Sequence, residues 1–180
     1  MRSIRIKRLV YAALMLAIGM VLPFLTAQIK EIGDTLLPMH LPVMLCGFLC
    51  GWGYGGAVGL MLPFLRSLLF SMPPLYPNAV WMALELATYG LVTGLLYSRR
   101  KKHSVGYTYV CLVIAMLSGR VVWGIAKATL LGLGGKAFTV GAFITGGFVD
   151  ALAGMLLQLV LIPLILQLVE RYKVGKTDAD

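Results

Sequence analysis

Five ionisable side chains lie inside long apolar stretches of this sequence, where a charge is costly. They are Arg66, Glu85, Arg120, Lys127 and Asp150. In hydrocarbon such a residue is stable only when it is paired or hydrated, so these positions mark either structural ion pairs or a binding site. Three cations against two carboxylates leave a positive excess. That excess favours a substrate with a carboxylate or another anionic group, bound through charge-assisted hydrogen bonds.

The spacing of these residues predicts that polar and aromatic groups share helix faces. One face of the fourth apolar segment follows i, i+3, i+7, i+11 and carries Asn78, Trp81, Glu85 and Tyr89. One face of the fifth follows i, i+3, i+7 and carries Arg120, Trp123 and Lys127. A stripe on the last segment carries Phe143, Gly147, Asp150, Gly154 and Gln158. Together with Arg66, these faces predict one cavity open to the outside. There the carboxylates and amides would bind hydroxyl or amide groups, and Trp81, Tyr89 and Trp123 would cover a ring or apolar portion.

A structural interpretation remains open beside the binding site. Arg120 could pair with Asp150 and Arg66 with Glu85, which would join the helices with nothing bound. We expect Lys127 and Trp123 to touch the substrate directly. Arg120, the deepest of the three on its helix, is expected to pair with Asp150 instead.

Other side chains have simpler alternatives. Trp81 and Trp123 could anchor the helices near the membrane surface. His40 is expected to cap a helix or form a hydrogen bond, since one histidine without companions is a weak metal ligand. Cys46, Cys50 and Cys111 lie in apolar segments and are expected to pack as small buried residues.

The elements that must position these residues are membrane helices. The chain has 180 residues, of which 59% are hydrophobic and 13% charged, whereas soluble domains have roughly 45–50% apolar and about 25% charged residues. We therefore predict an all-α integral membrane fold, with residues 1–180 forming a single six-span domain. The predicted spans are 9–26, 36–51, 53–71, 79–98, 106–131 and 140–169, with a tight hairpin at "GWG" between the second and third.

The basic residues predict the orientation of these spans. Lysine and arginine cluster before the first span, at "RRKK" (99–102) and after the last span. In a six-span chain all three clusters lie on one side, which the positive-inside rule makes cytoplasmic, so both termini are predicted inside. The net charge of +9 therefore indicates topology, and no nucleic-acid partner is expected.

Catalysis finds no support in the sequence, and we predict that the chain is not an enzyme. It has no phosphate-binding loop, no HExxH and no G-x-S-x-G. Since it also has no motif that would bind ATP, active transport would need either an ion gradient or a partner ATPase.

Several of these features together resemble one transporter family. They are six spans in under 200 residues, both termini inside, the pair Ala13-x-x-x-Ala17 on the first span, the polar outer cavity on spans four to six, and the stretches "LPVMLCGFLCGWGYGGAVGLMLPFLRSLL" and "MPPLYPNAVWMALELATYGLVTGLLY". The chain resembles the substrate-binding S component of energy-coupling factor (ECF) vitamin transporters, in the riboflavin-transporter-like branch. The resemblance covers nearly the whole chain.

The resemblance implies a mechanism. A vitamin or related precursor binds with high affinity from outside, under a lid formed here by Gln28 to Met39. Ala13 and Ala17 contact a transmembrane coupling subunit, and two cytoplasmic ATPases use ATP to move the closed site inward. No cofactor is bound by this chain itself, and a bacterial plasma membrane is the expected location. The nickel and cobalt branch uses an N-terminal histidine; Arg2 follows Met1 here, so a metal substrate is not expected.

The substrate and the energy source have alternatives. Pantothenate fits the expected cavity, and queuosine-type precursors, niacin and lipoate stay open. A stand-alone transporter or facilitator driven by an ion gradient is the alternative function, with Asp150 or Glu85 carrying protons. A membrane scaffold that binds no small molecule is a third.

Overall fold

A computed structural model describes residues 2–26, 36–100, 104–135 and 137–177. We number its helices in chain order: α1 Arg2–Val21, α2 His40–Cys50, α3 Trp52–Phe70, α4 Val80–Ser98, α5 Val105–Leu133, α6 Val140–Ile144 and α7 Leu152–Thr177. A 3-10 turn, Leu22–Thr26, follows α1, and a wide turn, Leu75–Ala79, precedes α4. A π-helical turn, Thr145–Val149, continues α6 towards α7. The regular elements of the described residues are helical, which confirms the all-α prediction.

Five helical segments of the described residues are long and apolar enough to cross a membrane. They are Ile4–Phe24, Trp52–Phe70, Leu75–Ser98, Val105–Leu133 and Val140–Arg171. Each matches one of the predicted spans to within about five residues. This agreement supports a multi-pass membrane protein.

The second predicted span, 36–51, is not confirmed as a full span. α2 has only 11 residues, which gives about 16 Å of helix at 1.5 Å per residue against a hydrocarbon core of about 30 Å. The helix begins at His40, three residues after Leu37, whose backbone has a positive φ of 50°. It ends at Cys50, directly before Gly51. Nearly all its residues are buried against the other helices. Its apolar composition therefore reflects the protein core and not contact with lipid.

Glycine allows α2, α3 and α4 to cross at close range. Gly51, with φ 97°, is the single residue between α2 and α3, so the predicted hairpin is present. A Cβ on Gly55 would collide with the backbone of Gly47 and with the carbonyl of Gly90. A Cβ on Gly90 would collide in turn with the backbone of Gly55. Glycine therefore serves both the turn between α2 and α3 and the close packing of these helices.

α1 lies at the edge of this arrangement. Of the most apolar 18-residue stretch within Ile4–Phe24, only 17% is buried within the chain. It is attached to the core through Ala12, which is buried, and through Gly19, where a Cβ would meet the side chain of Leu62 on α3. Most of the surface of α1 is therefore left for lipid or for another protein.

Candidate functional site

α4 and α5 pack against each other along the two faces that the spacing predicted. Trp81, Glu85 and Tyr89 of α4 are buried, at 9%, 2% and 1% exposure. On α5, Arg120 and Trp123 are buried at 2% and 7%, and Lys127 is half-buried. Gly119 explains the close approach, since a Cβ there would strike the ring of Tyr89.

The carboxylate of Glu85 is the centre of a buried polar cluster. Its Oε1 lies 2.9 Å from Arg120 Nη1 and accepts a hydrogen bond of 3.1 Å from the hydroxyl of Tyr89. The imidazole Nε2 of His40, at the start of α2, lies 3.4 Å from the same oxygen. A buried carboxylate is costly unless it is paired and hydrogen-bonded, and here three helices supply its partners. We call Glu85, Arg120, Tyr89 and His40 the Glu85 cluster.

The Glu85 cluster retains hydrogen-bonding capacity. Nε and Nη2 of Arg120 and both ring nitrogens of His40 are buried and have no hydrogen-bond partner among the described residues. Most buried polar groups in proteins are paired, so each exception calls for an explanation. A bound polar molecule is one such explanation, because it would supply acceptors for the guanidinium without displacing Glu85.

Aromatic rings surround the ammonium of Lys127 beside this cluster. Its Nζ lies 4.5 Å from the ring centroid of Trp123 and 5.5 Å from those of Trp81 and Phe138. At these distances the ring faces attract the cation. The indole of Trp123 also lies 6.0 Å from the Arg120 guanidinium, so one indole contacts both cations. The region thus combines positive charge with apolar ring surface.

Asp150 does not pair with Arg120, and that expectation was wrong. Arg120 pairs with Glu85, while Asp150 is exposed and has no ion pair among the described residues. Asp150 directly follows the π-helical turn Thr145–Val149, and its N–H donates to the Thr145 carbonyl five residues back, at 2.9 Å. Its neighbour Ala151 is fully buried, and Gly154 and Gln158 of the predicted stripe are buried as well.

Arg66 does not pair with Glu85 either. Its Nη1 donates a 2.6 Å hydrogen bond to the carbonyl of Met20 near the end of α1. Its guanidinium lies 5.4 Å from the ring centroid of Phe24 and 5.5 Å from that of Phe70. The geometry gives Arg66 a role in joining α1 to α3.

The other predicted residues lie at varied distances from the cluster. Gln158 is buried and its Nε2 donates to the Leu37 carbonyl at 3.4 Å, next to the start of α2. Asn78 is half-buried in the turn Leu75–Ala79, about one helical turn before Trp81. Ala13 and Ala17 are exposed on α1. Most of the predicted lid, Gln28 to Met39, lies outside the described residues.

Sequence reasoning missed two residues of this region, His40 and Phe138. His40 was expected to cap a helix or form a hydrogen bond, and the ion-pair contact with Glu85 was not foreseen. The available signal was an ionisable residue at the start of an otherwise apolar helix. Phe138 lies in a loop where spacing carries no information. The described residues contain no group of three His, Cys, Asp or Glu side chains that could hold a metal ion.

Comparison with known proteins adds one finding. A family described as "ECF transporter, substrate-specific component" matches residues 7–168, about nine-tenths of the chain. No curated protein and no solved structure matches it.

Proposed function

This chain belongs to the family of ECF transporter substrate-specific components, and from that premise we propose that it captures a small organic acid, a vitamin or a related precursor, between α4 and α5. As a member it is the substrate-binding, multi-pass membrane subunit of an ECF importer, and it belongs to a transporter family and not to an enzyme family. Such subunits work with a transmembrane coupling subunit and ATPases. The acid, its location and its contacts are the proposal.

One observation carries this proposal: the buried guanidinium of Arg120 is only partly satisfied. Arg120 is 2% exposed and uses Nη1 for Glu85, while Nε and Nη2 have no partner among the described residues. Nε and one terminal nitrogen form an edge of the guanidinium that matches a carboxylate in a bidentate geometry. A substrate carboxylate would complete the coordination of this cation.

The neighbouring rings and Lys127 support the same class of substrate. Trp81, Trp123 and Phe138 offer apolar surface to a ring or a hydrocarbon portion, and the Lys127 ammonium adds a second positive charge. Among the described residues, this region holds the cations Arg120 and Lys127 and the carboxylate of Glu85. An anion is therefore favoured over a neutral or cationic ligand.

Pantothenate is our first candidate because it combines a carboxylate with hydroxyl and amide groups. Niacin and lipoate carry the carboxylate alone and are the rivals. Membership of the riboflavin-transporter-like branch is part of the proposal and is supported by the two stretches "LPVMLCGFLCGWGYGGAVGLMLPFLRSLL" and "MPPLYPNAVWMALELATYGLVTGLLY".

For energy coupling we propose the family arrangement. The coupling subunit would contact α1 at Ala13 and Ala17, which are exposed in the isolated chain. Two ATPases on the cytoplasmic side of a bacterial plasma membrane would use ATP to move the loaded subunit. The termini would lie on the same side as the ATPases, as the basic residues predict.

The decisive experiment is to purify the chain, identify retained small molecules by mass spectrometry, and titrate it with pantothenate, niacin and lipoate by calorimetry. We expect an acid to bind the wild-type chain and to bind far more weakly to the double variant Arg120→Gln/Glu85→Gln, which removes the ion pair without leaving a lone charge. Retention of a molecule without an acidic group would contradict the proposal.

Reconstitution in liposomes tests the energy source. We expect uptake only when the coupling subunit and ATPases are present with ATP. Gradient-driven uptake by the chain alone would instead establish the stand-alone transporter, and the absence of any bound small molecule would favour the scaffold.

A further inference from the structure

His40 is a buried histidine whose two ring nitrogens have different surroundings. The residue is 2% exposed. Nε2 faces the Glu85 carboxylate at 3.4 Å, and the ring lies 5.1 Å from that of Tyr89. Both ring nitrogens are buried and neither has a hydrogen-bond partner among the described residues. Nε2 has the ion-pair contact with Glu85, whereas no polar contact is present at Nδ1 among those residues.

The backbone around His40 is fixed from two directions. The N–H of His40 donates to the Leu37 carbonyl at 3.1 Å, and Gln158 of α7 donates to the same carbonyl at 3.4 Å. These bonds tie the start of α2 to α7 while the imidazole contacts α4. The ring is thus held in place by contacts that do not use Nδ1.

The Glu85 carboxylate determines what Nδ1 can do. An acceptor beside one ring nitrogen favours the tautomer that carries the proton there, so the neutral imidazole has its N–H at Nε2. Nδ1 is then an acceptor. In the neutral ring the partner of Nδ1 is therefore a donor, such as an O–H or an N–H.

We propose that His40 is a substrate-contacting and specificity-determining residue, whose Nδ1 accepts a hydrogen bond from the substrate while Arg120 binds the substrate carboxylate. This inference rests on the proposed function and narrows it. The substrate class is an acid that also carries an O–H or N–H donor. An acid without such a donor would leave Nδ1 buried and unpaired, and a site built to bind a polar group discriminates strongly against analogues that lack it.

Three acids test the class directly. Pantothenate carries hydroxyl and amide N–H donors besides its carboxylate, whereas the anions of niacin and lipoate carry none. We expect calorimetric titration of the wild-type chain to give an affinity for pantothenate at least about tenfold above those for niacin and lipoate, the ratio typical of losing one buried hydrogen bond.

Two substitutions separate the two sides of the ring. In His40→Gln the amide nitrogen reaches the position of Nε2 and can still donate to Glu85, but no atom replaces Nδ1. In His40→Asn the amide oxygen lies near the position of Nδ1 and the contact with Glu85 is lost. We expect His40→Gln to lose about tenfold in affinity for pantothenate and His40→Asn to stay within about threefold of wild type. A merely structural His40 predicts the opposite order, because the only contact it needs is the one with Glu85.

The outcomes distinguish this inference from the proposed function. If niacin or lipoate binds at least as tightly as pantothenate, and the double variant Arg120→Gln/Glu85→Gln loses that binding, the acid site stands and the role of His40 is refuted. Equal losses in His40→Gln and His40→Asn refute it as well. If none of the three acids binds, the molecule retained by the purified chain decides, whatever the variants do. An acid with an O–H or N–H donor supports the inference, an acid without one refutes it, and a non-acid or nothing refutes the proposed function too.

Discussion

Two buried arginines of this molecule occupy opposite kinds of environment. Arg66 is 3% exposed and Arg120 is 2% exposed. Among the described residues Arg66 contacts neutral groups, the carbonyl of Met20 and the rings of Phe24 and Phe70, and its Nε has no hydrogen-bond partner there. Arg120 meets the carboxylate of Glu85 and retains two N–H groups without a partner among the described residues. Equal burial therefore does not mean an equal role.

The difference follows from what each contact can be used for. Met20 lies in the last turn of α1, where carbonyls lack helical partners, so Arg66 satisfies a backbone group and joins two helices. In the Glu85 cluster the cation is balanced by a charge that is itself fully buried. If one partner of the Glu85–Arg120 pair is removed, the other stays buried as an uncompensated charge, and its desolvation is no longer offset. The α1–α3 contact is thus structural, and the α4–α5 contact combines stability with capacity for a ligand.

The largest predicted effect is that of Arg120→Gln. This change leaves the Glu85 carboxylate buried with only Tyr89 and His40 as partners, and we expect a loss of stability of about 3–5 kcal/mol. Thermal unfolding of the purified chain in detergent measures it.

The double variant Arg120→Gln/Glu85→Gln is the matched control for that experiment. It removes both charges, so we expect most of the stability to return while acid binding stays lost. If the double variant binds the acid as wild type does, Arg120 is structural and the contrast with Arg66 disappears.

The second prediction concerns Arg66→Met, which keeps the apolar stem and removes the charge. The lost hydrogen bond to Met20 involves a charged donor, so we expect a stability loss of about 1.5–3 kcal/mol. Acid affinity should stay within about twofold of wild type, because Arg66 does not contact the Glu85 cluster. A large drop in affinity with a small drop in melting temperature would place Arg66 in the binding site, as the charge pattern alone suggested.

The sequence could predict the faces of α4 and α5 because both helices are uninterrupted. Regular 3.6-residue periodicity then places Glu85 beside Tyr89, and Trp123 beside Arg120, without knowledge of tertiary contacts. The same reasoning failed for Asp150, which is exposed while Gly147, Gly154 and Gln158 of its predicted stripe are buried. Spacing places a residue near a face, and the packing of the neighbouring helices decides whether a residue at the edge of that face is covered.

The pairing of charges could not be predicted from spacing. The charge pattern suggested Arg66 as the partner of Glu85, and only the packing of α5 against α4 selects Arg120. Similarly, the apolar stretch 36–51 has the composition of a span, and only its burial shows a short core helix. The contact of His40 with Glu85 could not be predicted either, because tertiary packing places α2 beside Glu85.

The third prediction concerns Lys127, which lies beside the Glu85 cluster. Lys127 is half-buried between Trp123, Trp81 and Phe138, so Lys127→Gln should alter packing little. We expect acid affinity to fall about three- to tenfold, as for the loss of one charge-assisted contact, with a melting temperature close to wild type. Lys7→Gln, at an exposed position of α1, is the control and should change neither. An unchanged affinity in Lys127→Gln would assign the acid to Arg120 alone.

The smallest effect on the isolated chain is predicted for Ala17→Leu on α1, the helix that Arg66 attaches to the core. Ala17 and Ala13 are exposed, so we expect the larger side chain to leave the described core undisturbed, with melting temperature and acid affinity at the wild-type values. In the assembled transporter a small-xxx-small surface allows close helix contact that leucine would prevent. We expect several-fold less coupling subunit to copurify with Ala17→Leu, measured by densitometry against the tagged chain.

Ala57→Leu places the same side chain at an exposed position of α3 and should assemble normally. Equal assembly of both variants would show that α1 does not dock the coupling subunit, and Arg66 would then serve only the internal packing of this chain.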